Sequence, residues 1–279
     1  MKFKNPAIKT AGTLAWRLNA HKTKGSCLSM KLLEFPHSHY CEKARWALDY
    51  KNIPFQAVAI MPGFHVITVR KYAPDTSVPV LLNGNEVVQG SSEIINYLEH
   101  KYPSPSLTAT DAKERRACFE IENDMDKRLG ENIRQFLYSR LLAYPDFIRY
   151  CFTHPMPRMK QLIFSLFYPL LRYKIYQTYV ISAVKAEQAR CEFDVAMCEI
   201  ENKLSQKQYL VGEQFTRADL SVASMLSLLV MPPEHPFPWR EIQDPQTRTF
   251  YDEYRDHPVT AWVTTMYRDH RLLESVHSD

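Results

Sequence analysis

The stretch from Lys31 to Lys101 constrains this chain most, because short apolar runs and an amphipathic segment alternate there in a fixed order. Lys31 to Phe35 is an apolar run ending at Pro36 and reads as a strand. From Tyr40 to Asn52, Cys41, Ala44, Ala47 and Leu48 share one face at helical spacing, and charges occupy much of the remainder. Asn52 and Pro54 stop that helix. Phe55 to Ile60 reads as a second strand, so the first three elements form a parallel pair with a crossover helix. Residues 61–76 form a loop with one short helix around Val66 to Tyr72. Val80 to Leu82 and Glu86 to Val88 flank Asn83-Gly84-Asn85, a hairpin signal because Asn and Gly tolerate positive φ. A helix from Ser91 to Lys101, stopped by Pro103, closes the unit. The order is βαβ, α, ββα.

Beyond Pro103-Ser104-Pro105-Ser106, a linker by composition over 104–110, the elements all read as helix. Asp111 to about Leu142 carries a stripe through Cys118, Ile121, Met125, Leu129, Ile133 and Leu137. Pro145, Pro155 and Pro157 mark a break. A second helical stretch, Arg158 to Ser205, is expected to be interrupted at Pro169. Thr216 and Asp219 form a capping-box pattern, with Phe215 and Leu220 placed as a hydrophobic staple. Two shorter helices are expected near 247–256 and 259–268. The organisation is therefore a basic extension (1–29), an α/β domain (30–103), a linker (104–110) and an all-α domain (111–279).

The net charge of +4 is weak, and residues 2–31 hold seven basic side chains and no acid, so little asks for nucleic acid as a partner. No apolar run reaches the roughly 18–20 residues of a membrane-spanning helix; Leu162 to Leu171 is too short and contains Pro169. The six cysteines show no zinc or paired CxxC spacing and read as reduced thiols. His37 and His39 have no carboxylate or cysteine pattern around them that suggests a metal. The first 29 residues have the character of an organellar transit peptide, the alternative being a plain tail or a start at Met30.

Four motifs in this order resemble the soluble glutathione transferases over about residues 30–270. They are Ser38-His39-Tyr40-Cys41 before the first helix, Val78-Pro79-Val80-Leu81, Gly90-Ser91-Ser92-Glu93-Ile94-Ile95 opening the third helix, and Tyr209-Leu210-Val211-Gly212 leading into Thr216-Arg217-Ala218-Asp219. The resemblance implies a thioredoxin-like N-terminal domain joined to an all-helical C-terminal domain, glutathione as cosubstrate without a metal, a small apolar electrophile, a homodimer and a cytoplasmic location.

A free thiol is only about 3% thiolate at pH 7, and a depression of about two pKa units makes the thiolate the main form. A helix N-terminus with a hydroxyl donor supplies that stabilisation. Ser38 stands just before the first helix. The resemblance implies that it donates to the glutathione sulfur; it also suits a plain N-cap. Cys41 is the competitor, in a motif resembling CxxC with its first cysteine replaced, though its helical register puts it on the apolar stripe; the alternative functions are a thiol transferase or isomerase using Cys41 and a non-catalytic binding protein that keeps the fold. The tyrosine-using classes place their tyrosine on the first strand, where an ungapped match puts Glu34.

By resemblance, Val78 before a cis Pro79 pairs with the cysteinyl backbone of glutathione. Ser91, with Ser92 beside it, holds the γ-glutamyl carboxylate at a helix N-terminus. Gly90 and Ser77 depart from the residues common at those places. Phe164, Phe167, Tyr168, Tyr173, Tyr176 and Tyr179 are placed to line an apolar pocket or to pack as core.

Overall fold

A computed structural model of the chain describes residues 30–271 except 206, 241 and 243. The basic extension 1–29 and its targeting reading lie outside the described residues.

The first half comprises β1 (Met30–Glu34), α1 (His39–Tyr50), β2 (Gln56–Ala59), α2 (His65–Val69), β3 (Val80–Asn83), β4 (Glu86–Gln89) and α3 (Ser91–Lys101). The sheet order is β2-β1-β3-β4. β1 pairs parallel to β2 with Lys31 opposite Gln56, and antiparallel to β3 with Leu32 opposite Leu81. The β3–β4 hairpin turns at Gly84 and Asn85, where Gly84 has φ +58°. Strand alternation sends Leu32 and Leu81 into the core with Ala44, Leu48 and Ile94, and Leu33 and Val80 to the other face with Val69.

The second half comprises α4 (Ala112–Met125), a π-helical turn (Asp126–Glu131), α5 (Asn132–Leu141), α6 (Pro145–Thr153), α7 (Arg158–Thr178), α8 (Ala183–Leu204), α9 (Arg217–Met225), α10 (Ser227–Val230), α11 (Pro245–Tyr254) and α12 (Pro258–His270). The stripe from Cys118 to Leu137 is buried throughout. The capping box at α9 is present: Asp219 accepts from the Thr216 backbone at 2.8 Å.

Three expectations need correction. α7 runs straight through Pro169; that residue is exposed, so the Ser165 carbonyl it releases can turn to water. The interruption falls instead at Tyr179–Ser182, where Val180 takes φ +49° and Ser182 caps α8 through a 3.2 Å bond from Lys185 N–H. Pro145 does not break helix but opens α6 as its first residue, where its missing N–H costs nothing. Finally, α1 is not amphipathic in the ordinary sense. Glu42, Lys43 and Arg45 are buried along with Cys41, Ala44, Ala47 and Leu48, because the helical half covers the charged face and supplies partners for Glu42 and Lys43, while Arg45 pairs with Glu34 and Glu42.

Candidate active site

Ser38 has extended backbone (φ −82°, ψ 127°) and caps α1, its Oγ accepting from the Cys41 N–H at 3.4 Å. Its own N–H donates to the Phe35 carbonyl at 2.9 Å. The loop is braced from behind by Arg45, which donates to the Pro36 carbonyl (3.2 Å), to Glu34 (2.7 Å) and to Glu42 (2.9 Å). Arg271 joins Glu42 at 2.9 Å and also pairs with Asp49. Burial opposes the charge on Glu42, but Arg271, His235 and Arg45 outweigh it and bring its carboxyl down to about 2. The last described residue of the chain therefore holds the helix that carries the Ser38 cap.

Ser38 faces a cavity of about 730 Å³ between the two halves. Phe35, the His37–Tyr40 segment, residues 62–66 and Thr76–Val78 line it from the α/β half. Side chains of α5, α6 and α7, with Leu228, Trp239 and Tyr251, line it from the helical half. The wall is mainly aliphatic and aromatic. It carries two cations, Arg134 and Lys174, and among the described residues no carboxylate. The Arg134 guanidinium lies 4.7 Å from the Tyr179 ring centre and 5.7 Å from that of Tyr40. The imidazole of His37 stacks on Phe152 at 4.8 Å, and enclosure pushes its pKa down to about 4. His39 is buried, which holds it well below the ordinary histidine range.

Cys41 stands apart from this cavity wall. It is fully buried, its Sγ accepts from the Phe35 N–H at 3.4 Å, and burial, with the nearby Glu34 charge, pushes its thiol up to about 12. Of the expected aromatic set, Phe164, Phe167 and Tyr179 reach the cavity wall, whereas Tyr168 packs and donates to the Leu142 carbonyl at 2.7 Å.

Val78 lies on the wall and its bond to Pro79 is cis. Ser91 is the first residue of α3 and is buried; it lies off the cavity wall. Gly90 before it has φ +97° and ψ 142°, a region open mainly to glycine, so a glycine at this place suits its backbone. The Ser92 hydroxyl is engaged elsewhere: it accepts from Lys43 Nζ at 3.0 Å and lies 3.3 Å from the Asp126 carboxylate. Lys43 also meets Glu122 at 2.7 Å, and Arg217 pairs with the same carboxylate while donating to Asn96 at 2.8 Å. This buried network locks α1 and α3 to α4, the π turn and α9.

Sequence reasoning missed Arg134, which sits beside the Ile133–Leu137 stripe with nothing local to mark it as a wall residue. It also missed the Lys43 network, whose partners come from distant segments, and the Arg45 network, whose partners Glu34, Pro36 and Glu42 lie within eleven residues but on other turns of the fold.

The sequence profile of the glutathione S-transferase N-terminal domain matches residues 32–106, and that of the C-terminal domain matches 141–258. Among curated proteins, the maleylpyruvate isomerase of Ralstonia sp is 36% identical over 90 residues, 31% of this chain and 42% of its own. Glutathione S-transferase 1 of Dianthus caryophyllus is 34% identical over 97 residues, 34% of this chain and 44% of its own. These matches span less than half the length of the curated relatives. Among solved structures, human glutathione-S-transferase T1-1 superposes with a TM-score of 0.58 at 17% identity, covering 87% of this chain and 84% of its own. The beta-etherase of Sphingobium sp. superposes at 0.57 and 19% identity, covering 85% of this chain and 99% of its own. With both domain profiles matched in order on the architecture described above, the chain belongs to the soluble glutathione S-transferase family.

Proposed function

We propose that this protein is a glutathione-dependent transferase that binds the tripeptide against the α/β half and presents its thiolate to an apolar electrophile in the interdomain cavity. The observation that carries the reading is Ser38, held at the N-terminus of α1 on the wall of an apolar cavity that Val78 also lines. Its hydroxyl and the helix N-terminus stabilise sulfur as an anion; lowering the thiol pKa by about two units is worth about 2.7 kcal/mol. Val78 pairs with the cysteinyl backbone, and Ser91 at the start of α3 meets the γ-glutamyl carboxylate. Arg134 adds positive potential to the same wall. The raised pKa and complete burial of Cys41 favour Ser38 over a cysteine-based thiol transfer.

Calorimetry with glutathione, thiolate absorbance against pH and turnover of an activated aryl chloride test this reading. Ser38→Ala should retain binding, raise the bound thiol pKa and lower turnover; Cys41→Ala should leave all three near wild type. Unchanged turnover in Ser38→Ala removes that residue from the mechanism. Absence of binding heat in the folded wild type overturns the enzyme reading. A homodimer and a cytoplasmic or organellar location belong to the same proposal. Solution mass and cell fractionation check them.

A further inference from the structure

α7 is apolar on two opposite faces. Phe164, Tyr168 and Ile175 point into the core. Opposite them, at spacings of three and four residues, Met159, Leu162, Leu166, Leu170 and Tyr173 are all exposed, with Leu166 72% accessible. From Met159 to Tyr173 the stripe is about 21 Å long on a helix of 21 residues. The patch extends past the helix: the exposed Phe64 and Phe167 rings meet at 5.5 Å, and Ile67 of α2 is exposed three residues on. An apolar surface of this extent rimmed by charge marks an interaction site.

The charge on the helix itself has one sign. Residues 158–178 contain no Asp or Glu and carry Arg158, Lys160, Arg172 and Lys174, whereas Arg149 on α6 is paired with Asp146. Arg158 and Lys160 flank one end of the stripe; Arg172 and Lys174 flank the other, all exposed. Two copies of α7 laid face to face, in either direction, would bring cations against cations with no acid to pair them. No helix among the described residues is long and apolar enough to cross a membrane. An apolar stripe with aromatic residues and a cationic border instead has the character of a helix lying in a lipid interface, drawn to anionic headgroups.

We propose that the α7 face, with the adjoining Phe64–Ile67 segment, docks this protein on an anionic lipid bilayer. Phe167 and Leu170 are both exposed and part of the cavity wall, so the cavity opens beside the docked face.

The test is flotation of the full chain with vesicles of phosphatidylcholine alone and of phosphatidylcholine mixed with phosphatidylglycerol. Wild type should float with the mixed vesicles, far less with the neutral ones, and less as salt rises. Leu162→Asp/Leu166→Asp, at exposed positions off the cavity wall, should abolish flotation without changing the melting temperature. Arg158→Gln/Lys160→Gln/Arg172→Gln should weaken partitioning about fivefold per cation removed. Failure of folded wild type to float with anionic vesicles at low salt overturns the proposal. So does flotation unchanged in both variants, which would locate the lipid contact elsewhere. A solution mass that falls by half in Leu162→Asp/Leu166→Asp also overturns it, by showing that a second copy covers the face.

Discussion

Acid should weaken this fold through His235, and the size of the effect follows from where the ring sits. His235 is buried; its Nδ1 accepts from the Phe237 N–H at 3.0 Å, and its Nε2 lies 3.7 Å from the Glu42 carboxylate. Burial pushes its pKa down to about 3; Glu42 favours the charged ring, but Arg45 and Arg271 share that carboxylate and repel a third cation. The folded pKa thus lies below the unfolded value of about 6.5, so the unfolded chain binds the extra proton. The stability contributed by neutral His235 is complete above pH 6.5 and is lost as pH falls toward 3. Between about pH 7.5 and about pH 5 the loss is about 2 kcal/mol. Other groups titrate in that window. His37, down to about 4, acts with the same sign, and Asp219, which burial pushes up to about 6, acts with the opposite one. The diagnostic quantity is therefore a difference between two proteins. Urea unfolding followed by circular dichroism at both pH values should show wild type losing about 2 kcal/mol more than His235→Gln. Equal pH dependence in the two proteins would refute the reasoning, whatever the variant's absolute stability.

A methyl at Gly130 would stand 2.5 Å from Met225 Sδ and 2.7 Å from Tyr40 Oη, so Gly130→Ala should cost about 1–3 kcal/mol in denaturant unfolding. Arg217→Ala removes one of two cations from a buried Glu122 and should cost about 3–5 kcal/mol, with partial recovery in Arg217→Ala/Glu122→Gln. Ser182→Ala takes the cap from α8 and should lower stability by about 1 kcal/mol, which thermal unfolding checks.

What was legible in the sequence was what neighbouring residues decide among themselves. Asn83-Gly84-Asn85 specified a hairpin because its backbone needs are local, and Thr216 with Asp219 specified a helix start because the two side chains reach each other's backbone across one turn. Pro169 misled for a related reason: its effect depends on whether the freed carbonyl can meet water, which is a property of the helix's position and not of its sequence. The charged face of α1 is the sharper case. Glu42, Lys43 and Arg45 read as a solvated surface because solvation is the cheapest fate of a charge on an isolated helix. In the folded chain Lys43 finds Glu122 and Asp126, and Glu42 finds Arg271, all more than seventy residues away. A buried charge is tolerated only when such partners arrive, and removing one leaves the other unpaired. The domain junction thus rests on pairs that no local reading of α1 can reveal. The Ser38 cap at the head of that helix was visible, whereas the charges that fix its position against the cavity were not.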